Sequence, residues 1–294
     1  MSQLRFADAE AWDLSDMVDT DRYPLHDPES PVLQAEIARC RAELEEFGCC
    51  LLPGFLRPEA LAEATRDSRS LSPMAYFSNS YTNPYFTADD ASLPEDHPRR
   101  IFMERSSGFV TRDQIPPTSP IHRLYVARAM KALVEACLGE EKIYEYADPF
   151  AGLVINVLPD GTQQPWHYDT NEFIVSMMTQ KAEKGGEFEY SPMIRSPEGE
   201  NYDGVREVLL DRDRSSVRVL DLCPGDLQIF KGRFSLHRVA RVHGSTERHT
   251  AIFAYSQKPG VIGRVERTRQ LYGRVSEQHI TSEKAPTRAD SLVD

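Results

Sequence analysis

No apolar run in this sequence approaches the ~18 residues that a membrane-spanning helix needs; the longest candidates are short stretches such as Ala151–Ile155. The opening Met-Ser-Gln-Leu-Arg-Phe-Ala-Asp lacks the basic-then-apolar order of a secretory signal. Cysteine is scarce and unpatterned. The five residues Cys40, Cys49, Cys50, Cys137 and Cys223 make an odd count, with two adjacent and no Cys-x-x-Cys. That argues against a disulfide framework or a zinc ribbon and favours reduced, mostly buried thiols in the cytoplasm. Positive charge is also in deficit: the formal net charge is −12. Phosphate backbones are bound by basic faces, so nucleic acid is not expected as a partner, although a local basic pocket is compatible with the total. These absences lead to the expectation of a cytoplasmic chain with neither a membrane nor a nucleic acid as partner; a homo-oligomer is compatible with them.

What is present fits a globular protein with a real core: 294 residues, 40% hydrophobic and 27% charged. There is no internal repeat. Residues 1–30 are acidic and contain proline, as expected of a segment draped over a domain. From Ser30-Pro31, residues Val32, Leu33, Ile37, Cys40 and Leu44 recur at helical spacing to Phe47, and Gly48 stops the helix. Cys49–Leu52 reads as a short buried strand ending at Pro53-Gly54, and Pro58–Ser68 as a second helix. Residues 70–118, rich in Ser, Asn, Tyr and Pro, read as loops that could cover a pocket. Ile121–Leu138 reads as a third helix.

After Glu140 the texture turns β. Runs near Ile143–Tyr146, Gly152–Leu158, Glu172–Met178, Gly186–Tyr190, Val217–Leu222, Asp226–Phe230, Ser235–Ala240 and Arg248–Ser256 are bounded by turn residues. Such a series predicts a closed or double-sheet architecture of jelly-roll type. The expected class is α+β with a mainly β core: one domain over 1–294, with helical support and lid loops in 1–140, the core in 141–260 and a C-terminal extension in 261–294. The tail carries Arg264, Arg267, Arg269 and Arg274 and has the pattern of a last helix.

The chemistry-bearing pattern begins at His167-Tyr168-Asp169. If the backbone is extended there, positions 167 and 169 face the same side, and a nitrogen and a carboxylate oxygen converge. Two adjacent ligands cover part of a coordination sphere, and His237 on a later strand can supply the third. Two His and one carboxylate leave positions open on the other side of a metal, as in non-haem iron(II) oxygenases. His-x-Asp alone equally suits a turn histidine bonded to an aspartate. It gains weight from Leu222–Phe230, a turn and strand leading to His237, and from Arg248-His249-Thr250 on the next apolar strand. A hairpin turn near His243–Glu247 would make the strands of His237 and Arg248 antiparallel neighbours. An arginine pointing inward is costly unless a carboxylate meets it. His243 and His249 compete weakly as the third ligand, one in a turn and one of opposite parity to Arg248.

The set His167-x-Asp169, His237 and Arg248-x-Thr250 resembles the iron(II)/2-oxoglutarate-dependent dioxygenase superfamily, and Glu45–Leu56 is similar to that superfamily's helix-strand entry. The resemblance spans most of residues 40–260. It implies a double-stranded β-helix (cupin-like) flanked by N-terminal helices, with Fe(II) as cofactor and 2-oxoglutarate and O2 as cosubstrates. It also implies that Arg248, helped by Thr250, holds the far carboxylate of 2-oxoglutarate. Asn156 either assists there or is an ordinary strand amide. Trp166–Glu172, Gly185–Tyr190 and Gly232–Val239 resemble, more narrowly, the free-amino-acid radical halogenases and their hydroxylase relatives. Halogenases of that group carry Gly or Ala where this chain has Asp169, so the resemblance implies hydroxylation of a free polar or basic amino acid, with succinate and CO2 as coproducts. Desaturation or cyclisation of another metabolite is an alternative, as is a non-catalytic jelly roll that binds a carboxylate. For the substrate, the candidates are Trp166 as a wall of the site or a core residue, Asn171 and Glu172 toward an ammonium, and Arg105 toward a carboxylate.

Overall fold

The computed structural model describes residues 14–282 together with 292 and 293. Helix α1 (Pro31–Phe47) starts with proline in its first turn, where a missing N–H costs nothing, and buries Leu33, Ile37, Cys40 and Leu44 on one face. Gly48, with φ of 64°, ends it in the left-handed conformation and turns the chain into strand β1 (Cys49–Leu52). Helix α2 runs from Pro58 to Leu71. Ahead of these elements, Leu14, Met17, Val18 and Tyr23 are buried, and Val18 bridges to Leu56, so residues 14–30 do lie on the domain.

The 70–118 segment is more ordered than a set of loops. It contributes β2 (Tyr76–Phe77), β3 (Met103–Arg105), which pairs with Ser80–Thr82, and β4 (Gly108–Thr111). Its weak apolar periodicity reflects strands too short to show alternation. The single helix expected over Ile121–Leu138 is two, α3 (Pro120–Val126) and α4 (Arg128–Leu138), broken at Ala127 in an extended conformation. No Gly or Pro marks that break. Tertiary bonds hold it: Tyr125 Oη donates to the Ala254 carbonyl at 3.1 Å and accepts from the Tyr146 N–H at 3.1 Å, while Tyr255 Oη donates to the Tyr125 carbonyl at 2.7 Å.

The remaining core strands are β5 (Leu153–Leu158), β6 (Gln164–His167), β7 (Ile174–Gln180), β8 (Phe188–Ser191), β9 (Arg218–Leu220), β10 (Leu227–Phe230), β11 (Leu236–Val239) and β12 (Arg248–Phe253). All pair antiparallel, in a seven-stranded sheet of order β1-β10-β7-β12-β5-β4-β2 and a four-stranded sheet of order β9-β8-β11-β6. This is a jelly-roll core, and the helices pack with the larger sheet in one apolar cluster that includes Ile37, Leu44, Leu124, Leu133, Ile155, Val175 and Phe253. A second cluster joins the sheets at one end of the space between them, with Leu158, Met178 and Phe230 from the larger sheet meeting Phe188, Tyr190 and Val239 from the smaller. Fully burying an apolar side chain of this size stabilises by roughly 1.5–3 kcal/mol, so each cluster is a substantial clamp. Helix α5 (Tyr202–Leu209), capped by the Asn201 side chain, covers the outer face of the smaller sheet, and α6 (Val265–Tyr272) and α7 (Glu277–Ser282) follow the last strand. No helix among the described residues is long and apolar enough to cross a membrane.

Candidate active site

Strand pairing brings the two distant histidines together. In the smaller sheet His237 lies directly across from His167 in the β11–β6 ladder and across from Tyr190 in the β11–β8 ladder. The two imidazole rings are 4.1 Å apart between centroids. Asp169 lies just past the end of β6, where its N–H donates to the Gly232 carbonyl at 3.1 Å. Its Oδ1 is 3.9 Å from His167 Nε2 and its Oδ2 is 3.5 Å from His237 Nε2. One ligand atom from each of the three residues lies within 4.8 Å of the others.

The electrostatics suit a cation. His167 Nδ1 lies 2.8 Å from the Pro165 carbonyl and His237 Nδ1 lies 3.0 Å from the Ser235 carbonyl. A carbonyl only accepts, so each Nδ1 carries the proton and each Nε2 presents a lone pair to the shared point. Burial, and then repulsion from His237, push His167 down to about 3, keeping the ring neutral. Burial opposes the charge of Asp169, but the imidazoles beside it, His237 ahead of His167, leave the carboxyl below its ordinary range. The Asp169 side chain is 22% accessible although the residues around it are packed. Such an approach path suits a site that takes a metal and small ligands.

Arg248 reaches this region from the opposite sheet. β12 pairs with β5 and β7, whereas β11 pairs with β8 and β6, so the strands of His237 and Arg248 are not hairpin neighbours as the sequence suggested. After β11 the chain forms a short bridge to Lys184-Gly185 through Val242-His243 and then passes to the other sheet. Arg248 is buried, its Nη1 donates to Thr250 Oγ1 at 2.6 Å, and its Nε has no partner. Burial pulls the guanidinium down to about 10. Asn156 sits opposite Thr250 in the ladder, with its Nδ2 donating to the Gly108 carbonyl at 3.2 Å.

Arg105, on β3, is 0% exposed, and none of its three guanidinium nitrogens has a hydrogen-bond partner. Asn171 is buried and accepts a short hydrogen bond from Tyr146 Oη, and Glu172 is half-buried beside it. Trp166 is a correction. It points to the other face of β6, into the cluster with Tyr85, Val205, Val208 and Leu236, under the Arg238 guanidinium at 4.8 Å, and so does not wall the metal cluster. Tyr168 takes that same outer face, 3.7 Å beneath the guanidinium of Arg195. His243 is exposed, and His249 is taken by Glu247 at 2.8 Å and Ser68 at 3.2 Å, which leaves His237 as the third member.

Two neighbours went unread in the sequence. Phe86 lies 5.9 Å from the His167 ring, and Arg267 of α6 lies over the other side of Phe86 at 3.6 Å. Phe86 adopts φ of 55°, and Asn83 props its loop by accepting from the Tyr85 and Thr87 N–H groups at 3.0 and 3.2 Å. No sequence pattern distinguishes that phenylalanine from those of the core.

Residues 96–270 match the family model described as Halogenase D. The chain belongs to that family. The match covers the metal cluster, Arg105, Arg248 and Arg267, and the family lies within the iron(II)/2-oxoglutarate oxygenases, whose cofactor is Fe(II) and whose cosubstrate is 2-oxoglutarate. Solved structures agree on the fold. AviO1 from Streptomyces viridochromogenes Tue57 is similar with a TM-score of 0.51 and 16% identity over 78% of this chain and 96% of that one. The non-haem alpha-ketoglutarate-dependent epimerase SnoN from nogalamycin biosynthesis has a TM-score of 0.51 and 13% identity, covering 76% and 81%. SnoN in complex with Fe3+, alpha-ketoglutarate and nogalamycin RO gives a TM-score of 0.50 and 14% identity, covering 76% and 84%. No curated protein matches the sequence.

Proposed function

We propose that this chain, working as one oxygenase domain, hydroxylates an unactivated C–H bond of a free polar amino acid, with His167, Asp169 and His237 holding iron(II). The observation that carries the reading is the carboxylate of Asp169 inside the histidine pair, 3.5 Å from His237 Nε2. A halide would need that position, so the retained aspartate favours hydroxylation over halogenation. When bound, the iron supplies the oxygen chemistry that converts 2-oxoglutarate and O2 to succinate and CO2 and delivers hydroxyl to carbon.

The protein's own residues supply position. Arg248 offers a buried, forked donor to the far carboxylate of 2-oxoglutarate, and Thr250 Oγ1, fixed at 2.6 Å from Nη1, holds the fork in one orientation. Asn156 lies alongside and lends a polar edge to the same end of the cosubstrate. Arg105 takes the substrate carboxylate: a fully buried guanidinium without an acceptor is costly until an anion meets it. Asn171 and Glu172 meet the substrate ammonium from the segment just before β7. The packed surroundings exclude water, which strengthens each of these interactions.

The test is incubation of anaerobically purified protein with Fe(II), 2-oxoglutarate, O2 and a panel of free amino acids, read by mass. Gain of one oxygen with stoichiometric succinate is expected, and Asp169→Ala should abolish it. A chlorinated product from the native protein would overturn the argument from Asp169. Loss of two hydrogens would favour desaturation or cyclisation, and 2-oxoglutarate binding with no turnover on any substrate would favour a carboxylate-binding protein.

A further inference from the structure

Arg105 is not the only arginine near the metal cluster that lacks a carboxylate partner among the described residues. Arg267 reaches the same region from α6 and is half-buried, so its side chain lines accessible space. Phe86 separates it from His167, with the guanidinium 3.6 Å from the ring centre on one side and the imidazole centroid 5.9 Å away on the other. Among the described residues its side-chain hydrogen bond is from Nη1 to the neutral Gln270 Oε1 at 2.7 Å, and no carboxylate pairs with it. Arg105 has none either: its three nitrogens are unpartnered, and its nearest aromatic contact is the Phe109 ring at 5.5 Å. Phe109 in turn packs edge-on against Tyr272 of α6 at 5.9 Å, which ties Arg105 to the helix that carries Arg267. After burial, repulsion from Arg105 is the next cause that draws Arg267 down to about 9, against weaker pulls from Tyr272 and Asp169.

Among the described residues no carboxylate forms an ion pair with either of them. Asp148 is saturated: its carboxylate accepts from the N–H groups of Phe150 at 2.7 Å, Ala151 at 2.8 Å and Gly263 at 2.8 Å, and pairs with His279 at 2.9 Å. Tyr272, raised by burial, stays a neutral phenol. Asp169 belongs to the metal cluster. Arg105 has lost its water, Arg267 keeps part of it, and each repels the other, so the arrangement becomes more favourable once a ligand brings two negative charges. The fold keeps this arrangement with a phenylalanine held at positive φ against Arg267, a backbone conformation that disfavours Phe. Strain of that kind is found where a side chain must be held in one place.

We propose that Arg105 and Arg267 together bind two anionic groups, so that the substrate is a small molecule with an acidic group beyond its α-carboxylate, such as a dicarboxylic or phosphorylated amino acid, and not a basic one. This rests on the oxygenase reading above and names its substrate class. A lysine-like side chain would place a third positive charge beside two that already lack partners. An acidic one neutralises both.

Anaerobic calorimetry with saturating Fe(II) and 2-oxoglutarate tests this, with L-glutamate, L-aspartate, O-phospho-L-serine, L-norleucine and L-lysine as probes. At least one diacid is expected to bind about 10-fold or more tightly than norleucine and lysine, and the pattern among the three acids separates a carboxylate from a phosphate. Arg267→Met should weaken that acid by about 30-fold or more, the scale for truncating one partner of a buried charge pair, while norleucine and 2-oxoglutarate change by less than about threefold. Arg267→Lys should recover part of the loss. The inference is overturned if lysine or norleucine binds as tightly as the acids, if no acid binds, or if Arg267→Met weakens every probe equally. The wild-type preference does not depend on any variant folding. Failure to bind 2-oxoglutarate, measured first in the same series, would instead overturn the oxygenase reading beneath it.

Discussion

Gly232→Ala isolates the carboxylate ligand from everything else in the site. A Cβ built on Gly232 would sit 1.8 Å from Asp169 Oδ2, 2.7 Å from its Cγ and 3.1 Å from its Cβ, with the Asp169 side chain supplying all three nearest contacts. Since carbon–oxygen contacts are tolerated down to about 3.3 Å, the carboxylate oxygen has to retreat by about 1.5 Å. The backbone cannot slide away freely, because the Asp169 N–H is bonded to the carbonyl of Gly232 itself at 3.1 Å. Rotation of the side chain is the remaining escape, and it takes the oxygens off the point shared with the two Nε2 atoms. Changes one layer outside a metal typically cost 10–100-fold in affinity. Displacing a ligand belongs at the upper end, so a loss of about 100-fold, or about 2.7 kcal/mol, is expected. Gly232 is not at positive φ, so alanine suits its backbone and unfolding free energy should change by less than about 1 kcal/mol. Metal affinity measured by competition with a chromophoric chelator provides the readout. In an Asp169→Gly background the same alanine should cost almost nothing further, because its collision partner is gone. Wild-type metal affinity in Gly232→Ala, or a full additional loss in the double variant, would refute the placement of Asp169 as a ligand held against that glycine.

Arg248→Met should raise the 2-oxoglutarate dissociation constant by about 30-fold or more, the effect of removing one side of a buried charge pair, and leave metal affinity within about threefold; titration calorimetry separates the two. Tyr125→Phe removes a donor to Ala254 and an acceptor for the Tyr146 N–H, and should destabilise by about 1–3 kcal/mol in urea unfolding without altering metal affinity. His122 is lowered from 6.5 to about 4 by burial and then by Arg112, and its buried Nδ1 has no partner. The unfolded chain therefore binds this proton more readily, so stability falls as pH drops from 6.5 toward 4. At about 1.4 kcal/mol per pH unit that sums to about 3.5 kcal/mol at most. His122→Gln should flatten the pH slope of the unfolding free energy over that range, and an unchanged slope would assign the loss to other groups.

The metal cluster was legible in the sequence because its geometry is local. Strand parity aligns His167 with Asp169, and one ladder pairing adds His237. Helix α1 and strand β1 were readable for the same reason, since Leu33, Ile37, Cys40 and Leu44 encode a face and Gly48 encodes the stop. Whatever depends on the path between sheets was not readable. His237 and Arg248 lie close in sequence, which suggested a hairpin, whereas the chain changes sheets between them. Helix α3 ends at Ala127, a residue with the highest helix propensity, because side-chain-to-backbone bonds from distant tyrosines set the break. Trp166 faces outward by the same parity that turns His167 inward. Arg267 looked like one of several tail arginines, and only the packing of α6 against Phe86 distinguishes it.

The Asp148 carboxylate, wired to the turn before β5, to Gly263 and to His279, is the joint through which the C-terminal helices are seated. Every group proposed for iron or 2-oxoglutarate lies between Asn156 and Thr250, whereas Arg105 comes from before that stretch and Arg267 from after it. The two arginines proposed for acidic groups of the substrate therefore sit on lengths of chain outside the one that carries the metal cluster. On that proposal, a change in how the tail docks would alter which acid is accepted while leaving the metal cluster intact.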